Sequence, residues 1–129
     1  MNEITFTIPL KPVTKKNSQR MITTRDGRVI PIPSKAYAKY EKEAGWFLRP
    51  LGINQPVNVK CLYYMPTRRI VDLVNLLEAT CDVLVKYGVV SDDNFRIVAG
   101  HDGSRVLYDK ENPRTEVTIS FMTGVHDVK

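Results

Sequence analysis

The sequence predicts a single α+β domain in which a small mixed sheet carries two main helices packed against it. Three observations predict it. The 129 residues suffice for one sizeable core but not for two independent domains. Hydrophobic residues make up 43% of the chain and charged residues 26%, the balance of a globular protein. Turn signals separate short runs of period two from two longer runs of helical period, in the order β, hairpin, α, β, α, β, β. The domain is expected to span 1–129, with a frayed tail at about 123–129.

The first element is the run EITFTIPL, where Ile4, Phe6 and Ile8 alternate with Thr5 and Thr7 before Pro9 ends the strand. The next stretch, KPVTKKNSQRM, has no hydrophobic period; its lysines, arginine and short polar side chains have the chemistry of a phosphate-binding loop. In MITTRDGRVIPIP, Asp26-Gly27 supplies the positive-φ turn of a hairpin, with Arg25 and Arg28 flanking the tip. Ser34 is a candidate N-cap for KAYAKYEKEAGWFL, a helix fading around Gly45 to Leu48, with Tyr37 and Tyr40 at helical spacing.

Val57–Met65 reads as a strand ended by Pro66. VDLVNLLEATCDVLVKYG is the strongest helix, with Gly88 as its C-cap signal. Counted at 100° per residue, an apolar arc that includes Val74 faces a wet edge of Asn75, Glu78, Asp82 and Lys86. Strands follow at Phe95–His101 and Glu116–Met122, separated by turns at Asp102-Gly103 and Asn112-Pro113.

Composition excludes several classes. The two cysteines, Cys61 and Cys81, build neither a disulfide framework nor a zinc site and read as core thiols. No stretch approaches the roughly 20 apolar residues of a membrane span, and the opening residues lack a signal peptide's basic start and apolar run, so a cytoplasmic location is expected. The net charge is +5, and residues 1–40 hold eight Lys/Arg against Glu3 and Asp26, so the whole excess lies in the N-terminal third. That asymmetry favours a polyanion-binding face beside a more acidic half.

Asp72 heads the strong helix, where a carboxylate is ordinarily an N-cap. Asp92 and Asp93 close the following loop, where they are ordinarily turn residues. Together, beside Arg68 and Arg69, they suggest a metal site assembled from separated carboxylates, since hard divalent cations take several oxygens. Helix rise limits which residues join Asp72: Asn75 lies about 4.5 Å along, Glu78 about 9 Å and Asp82 about 15 Å. His101 lies at a strand end near Asp102 and Arg105, either as a surface residue or within reach of a phosphate.

The stretch MPTRRIVDLVNLLEATCDVLVKYGVVSDDNFRIV resembles the core motif of the RusA family of Holliday-junction resolvases. There an arginine-rich turn leads to D-L-x-N-L, a helix with D-x-L, a glycine-bearing loop and D-D before a strand. The resemblance implies a RusA-like fold and a homodimeric Mg²⁺-dependent endonuclease, with Mn²⁺ as an alternative ion, from a bacterium or phage. Such an enzyme cuts branched DNA, four-way junctions above all, by paired symmetric nicks. It further implies Asp72 and Asp93 as metal ligands, Asp92 as a ligand or orienting group, and Arg68 and Arg69 on phosphates near the cut.

The catalytic set expected from the combined reading is Asp72, Asp93, Asp92 and Glu78, and the ligand set Asp72, Asp93, Asp92 and Asn75. DNA contacts are expected at Lys11, Lys15, Lys16, Arg20, Arg68, Arg69 and Arg105. The chain departs from the family pattern at Val74, where an acidic residue is usual, and at Glu78, where a lysine is usual. Lys15, Lys16 or Arg69 would have to supply the missing positive charge. The second reading is a junction-binding protein whose catalysis is weakened or lost.

Overall fold

The computed structural model describes residues 3–15, 20–32 and 34–124, with Arg20 described through its backbone alone. The element order is β1 (Glu3–Ile8), β2 (Arg20–Thr23), β3 (Val29–Ile32), α1 (Lys35–Ala44), β4 (Val57–Met65), α2 (Leu73–Lys86), β5 (Val98–Gly100), β6 (Arg105–Tyr108) and β7 (Arg114–Phe121). A five-stranded mixed sheet runs β1-β7-β4-β5, with β6 also on β4, and β2 with β3 forms a separate two-stranded ribbon. The predicted α+β class is the observed one.

Strand β4 organises the sheet because its alternate residues Val57, Val59, Cys61 and Tyr63 are all buried. One edge pairs antiparallel with β7, from Val57↔Phe121 to Tyr64↔Arg114. The other edge is divided: parallel β5 takes its start through Val57↔Val98, and parallel β6 takes its end through Leu62–Met65.

The helix α2 covers this face, burying Leu76, Thr80 and Leu84 with Val57, Val59, Tyr63, Val117 and Ile119. The buried Tyr63 hydroxyl meets Thr80 Oγ1 at 2.6 Å, fixing β4 to the middle of α2. A second cluster of Ile8, Tyr40, Ala44 and Val83 ties α1 to α2. Ser34 caps α1 as expected, its Oγ accepting from the Tyr37 backbone N–H at 3.0 Å. Tyr37 and Tyr40 are core residues.

Three expectations are corrected. The strand expected at Phe95–His101 shortens to Val98–Gly100, because Asn94 turns the chain first. Its side chain accepts from Arg96 N–H at 2.9 Å, and its carbonyl accepts from Ile97 and Val98. Arg105–Tyr108, read as part of a turn region, is β6. The last strand begins two residues early, at Arg114, whose guanidinium is anchored by Asp109 at 2.9 Å and Glu116 at 2.8 Å. No helix among the described residues is long and apolar enough to cross a membrane.

Candidate active site

The two ends of α2 position the predicted carboxylates. Asp72 occupies the N-cap position in an extended conformation (φ −85°, ψ 123°), but its side chain makes no capping bond. Among the described residues its exposed carboxylate receives only the Asn75 amide, at a long 3.4 Å. An N-cap aspartate normally stabilises a helix by about 1 kcal/mol, and here that contribution is not taken. The carboxylate stays directed to solvent, next to Arg68 and Arg69 in sequence.

Asp92 and Asp93 follow the other end of α2, in the loop returning to the start of β4, where Val57 N–H donates to Ile97 O at 2.8 Å. Their roles differ. Asp92 Oδ1 accepts from the Asp93 backbone N–H at 2.7 Å, and Oδ2 accepts from the Asn94 amide at 3.0 Å. Those bonds, that of Asp93 first, hold the Asp92 carboxyl below its ordinary range. Asp92 therefore staples the loop, while the exposed Asp93 carboxylate accepts none of these bonds.

The 14 residues of α2, about 21 Å at helical rise, lie between Asp72 and the turn that leads to Asp93. The chain then returns along the helix, and the Asp93 charge is felt midway along it, at Cys81. Burial first, then Cys61 and the charges of Asp93 and Asp82, push the Cys81 thiol up to about 12. No group of three His, Cys, Asp or Glu side chains among the described residues converges closely enough to hold a metal ion. The donor chemistry suits a hard cation, since the uncommitted groups are carboxylate and amide oxygens.

The wet edge of α2 is partly as predicted. Lys15 reaches it from the segment after β1, pairing with Asp82 at 3.1 Å. Lys86 is structural, pairing with Glu41 of α1 at 3.0 Å. Val74, expected on the apolar arc, is 73% exposed, since the buried arc centres near Thr80 and Leu84 and leaves Val74 at its margin. It shares an exposed stripe with Glu78 one turn on, so both departures from the family pattern face the same way. Ile70 is almost fully exposed beside them in sequence.

Among the expected DNA contacts, Lys11, Arg68, Arg69 and Arg105 are exposed and Lys15 is half-buried. Lys16 and the Arg20 side chain lie outside the described residues. The Arg68 guanidinium lies 4.2 Å from the Tyr108 ring centroid, a support the sequence reading missed because β6 was unread; the β-prone run of Val106, Leu107 and Tyr108 was its signal. His101 turns inward: its ring Nδ1 and the Val59 carbonyl are 2.8 Å apart, with Nε2 toward Cys81, so it presents no free ring to a phosphate.

Comparison with known proteins gives one consistent answer. A family described as endodeoxyribonuclease RusA matches residues 9–120. The crossover junction endodeoxyribonuclease RusA of Aquifex aeolicus (strain VF5) is 33% identical over 115 residues, which cover 86% of this chain and 87% of that relative.

Proposed function

Since the chain belongs to the RusA family of crossover junction endodeoxyribonucleases, which are hydrolases, we propose that it resolves four-way DNA junctions by paired symmetric nicks as a homodimer. Each active site is shared between protomers, Asp72 coming from one and Asp93 of the partner subunit from the other. The observation that carries this reading is that Asp72 and Asp93 are both exposed with carboxylates uncommitted among the described residues, while no group of three His, Cys, Asp or Glu side chains there could hold a metal ion. A two-fold axis that sets one end of α2 against the other end of its mate unites them twice, once per cut strand.

In this site Asp72 and the partner's Asp93 would hold Mg²⁺, with Asn75 and Glu78 supporting at the helix end; Mn²⁺ takes the same oxygen donors. The bound ion would polarise the scissile phosphodiester and lower the pKa of attacking water. Asp92 orients Asp93 through the backbone bond it accepts. Arg68, steadied on Tyr108, and Arg69 hold phosphates at the cut, with Lys11, Lys15, Lys16, Arg20 and Arg105 on the flanking backbone. The same reading carries a cytoplasmic location, where branched DNA arises. Exposed, apolar Val74 is the observation that favours the second reading, a junction binder with weakened catalysis.

Mixing inactive variants tests the shared site. Asp72→Asn and Asp93→Asn homodimers should each bind a synthetic four-way junction without cutting it. After subunit exchange, a heterodimer carries both defects in one site and none in the other, so nicking of a single strand should return with Mg²⁺ and vanish with EDTA. If both defects belonged to one chain's own site, no mixture would cut. Wild-type binding without cleavage would establish the second reading.

A further inference from the structure

The ribbon β2–β3 stands apart from the rest of the fold. Its strands pair only with each other, in the register Met21↔Pro31, Ile22↔Ile30 and Thr23↔Val29, and neither packs extensively on another element. An isolated two-stranded hairpin is marginal in water.

The two faces differ. Ile30 and Ile32 are half-buried on one, beside Ile22 at 39% exposed, whereas Met21, Thr23, Val29 and Pro31 are all exposed on the other, Met21 by 62% and Val29 by 60%. At the tip, Gly27 (φ +86°) makes the turn and Asp26 pairs with Arg28 at 2.9 Å, while Arg25 is exposed with neither a hydrogen bond nor an ion pair to any described side chain.

We propose that this outward face, with Arg25 at its tip, lies in the minor groove of a DNA arm away from the cut. The inference rests on the junction-nuclease reading and assigns an arm contact beyond the basic residues already named. Charge complementarity favours DNA as the occupant, because the ribbon lies in the N-terminal third that carries the whole positive excess. The chemistry of the face selects the groove. Of the four outward side chains only Thr23 could hydrogen-bond a base edge, whereas Met21 and Pro31 beside an arginine are the kinds of side chain that minor-groove proteins press against sugars and base steps. A second copy is disfavoured by size, since four short side chains fall far below the roughly 800 Å² and 20–30 residues that each partner of a stable interface contributes. Larger exposed apolar side chains, Trp46, Phe47 and Leu51, lie outside the ribbon.

Fluorescence anisotropy with a labelled four-way junction and a linear duplex tests the assignment, using wild type, Arg25→Ala and the double variant Met21→Ser/Val29→Ser. Arg25→Ala should lower the log-log salt slope by about 0.9 on both DNAs. The double variant should bind about fivefold or more weakly at unchanged slope. Netropsin, which fills the minor groove, should weaken wild type more than the double variant. Affinities and slopes equal to wild type, equal sensitivity to netropsin, or loss of the dimer in sedimentation by the double variant would each overturn the proposal. Because Arg25 has no bonded partner among the described side chains, its variant keeps the test valid if the double variant misfolds. Wild type that binds duplex and junction alike would sink junction selectivity while leaving the ribbon contact standing. Wild type that binds neither DNA would sink both.

Discussion

The two ends of α2 solve the same problem in opposite ways. At the C-terminal end Gly88 adopts φ +73°, its N–H donates to Val85 O at 3.1 Å, and Val89 N–H donates to Leu84 O at 2.8 Å. These bonds form a Schellman closure, extended by Gly52 N–H on Gly88 O and by the Lys86–Glu41 pair. At the N-terminal end the residue type best suited to capping is present, yet its carboxylate caps nothing. One end spends its polar groups on the fold, and the other leaves its cap carboxylate uncommitted. An ideal capping residue left uncommitted is thus a stronger functional signal than an odd residue in a regular helix, because the local gain it forgoes is known.

Replacing Asp72 with alanine should break this contrast most visibly. Cleavage of a four-way junction should fall more than about a hundredfold, the upper range for loss of a group that merely supports a metal. Chemical denaturation should change by less than about 0.5 kcal/mol, because no capping bond is lost. A stability loss near 1 kcal/mol with cleavage preserved would make Asp72 an ordinary cap.

Val74→Asp sharpens the same end. Val74 is exposed, so an aspartate there meets no packing penalty, and an acid in the first turn interacts favourably with the helix dipole by about 0.3–1 kcal/mol. A further carboxylate near Asp72 should lower the Mg²⁺ concentration for half-maximal cleavage by about tenfold, within the range over which neighbours of ligands tune affinity. No change in that concentration would place the ion away from the start of α2.

Much of this was legible in the sequence, for physical reasons that also mark where legibility ended. Helix α2, strand β4 and the Ser34 cap follow from period and local chemistry, which the chain writes within a few residues. The short β5 was overread because Asn94 satisfies nearby backbone groups that a ladder would otherwise take. Strand β6 was missed because its pairing with the end of β4 joins segments some forty residues apart. The residue types of the site were readable, but not its closure. Spacing along the chain says that Asp72 and Asp93 belong to one motif, but not how the chain's return after α2 sets one against the other.

Gly88→Ala completes the comparison from the other end with the smallest effect. A left-handed conformation costs an L-residue roughly 1–2 kcal/mol, and the added Cβ would lie 3.3 Å from that of Pro50, a tight contact. Thermal or urea unfolding should therefore show a loss of about that size. The same closure carries the chain through Val89 and Val90, bridged to Ile53, toward Asp92 and Asp93. If the closed end serves the fold alone, the folded variant should cut junctions at the wild-type rate at saturating Mg²⁺. A cleavage defect exceeding the stability loss would instead show that Gly88 sets the angle at which the Asp93 loop is offered to the partner subunit, so the closed end would share in the site that the open end begins.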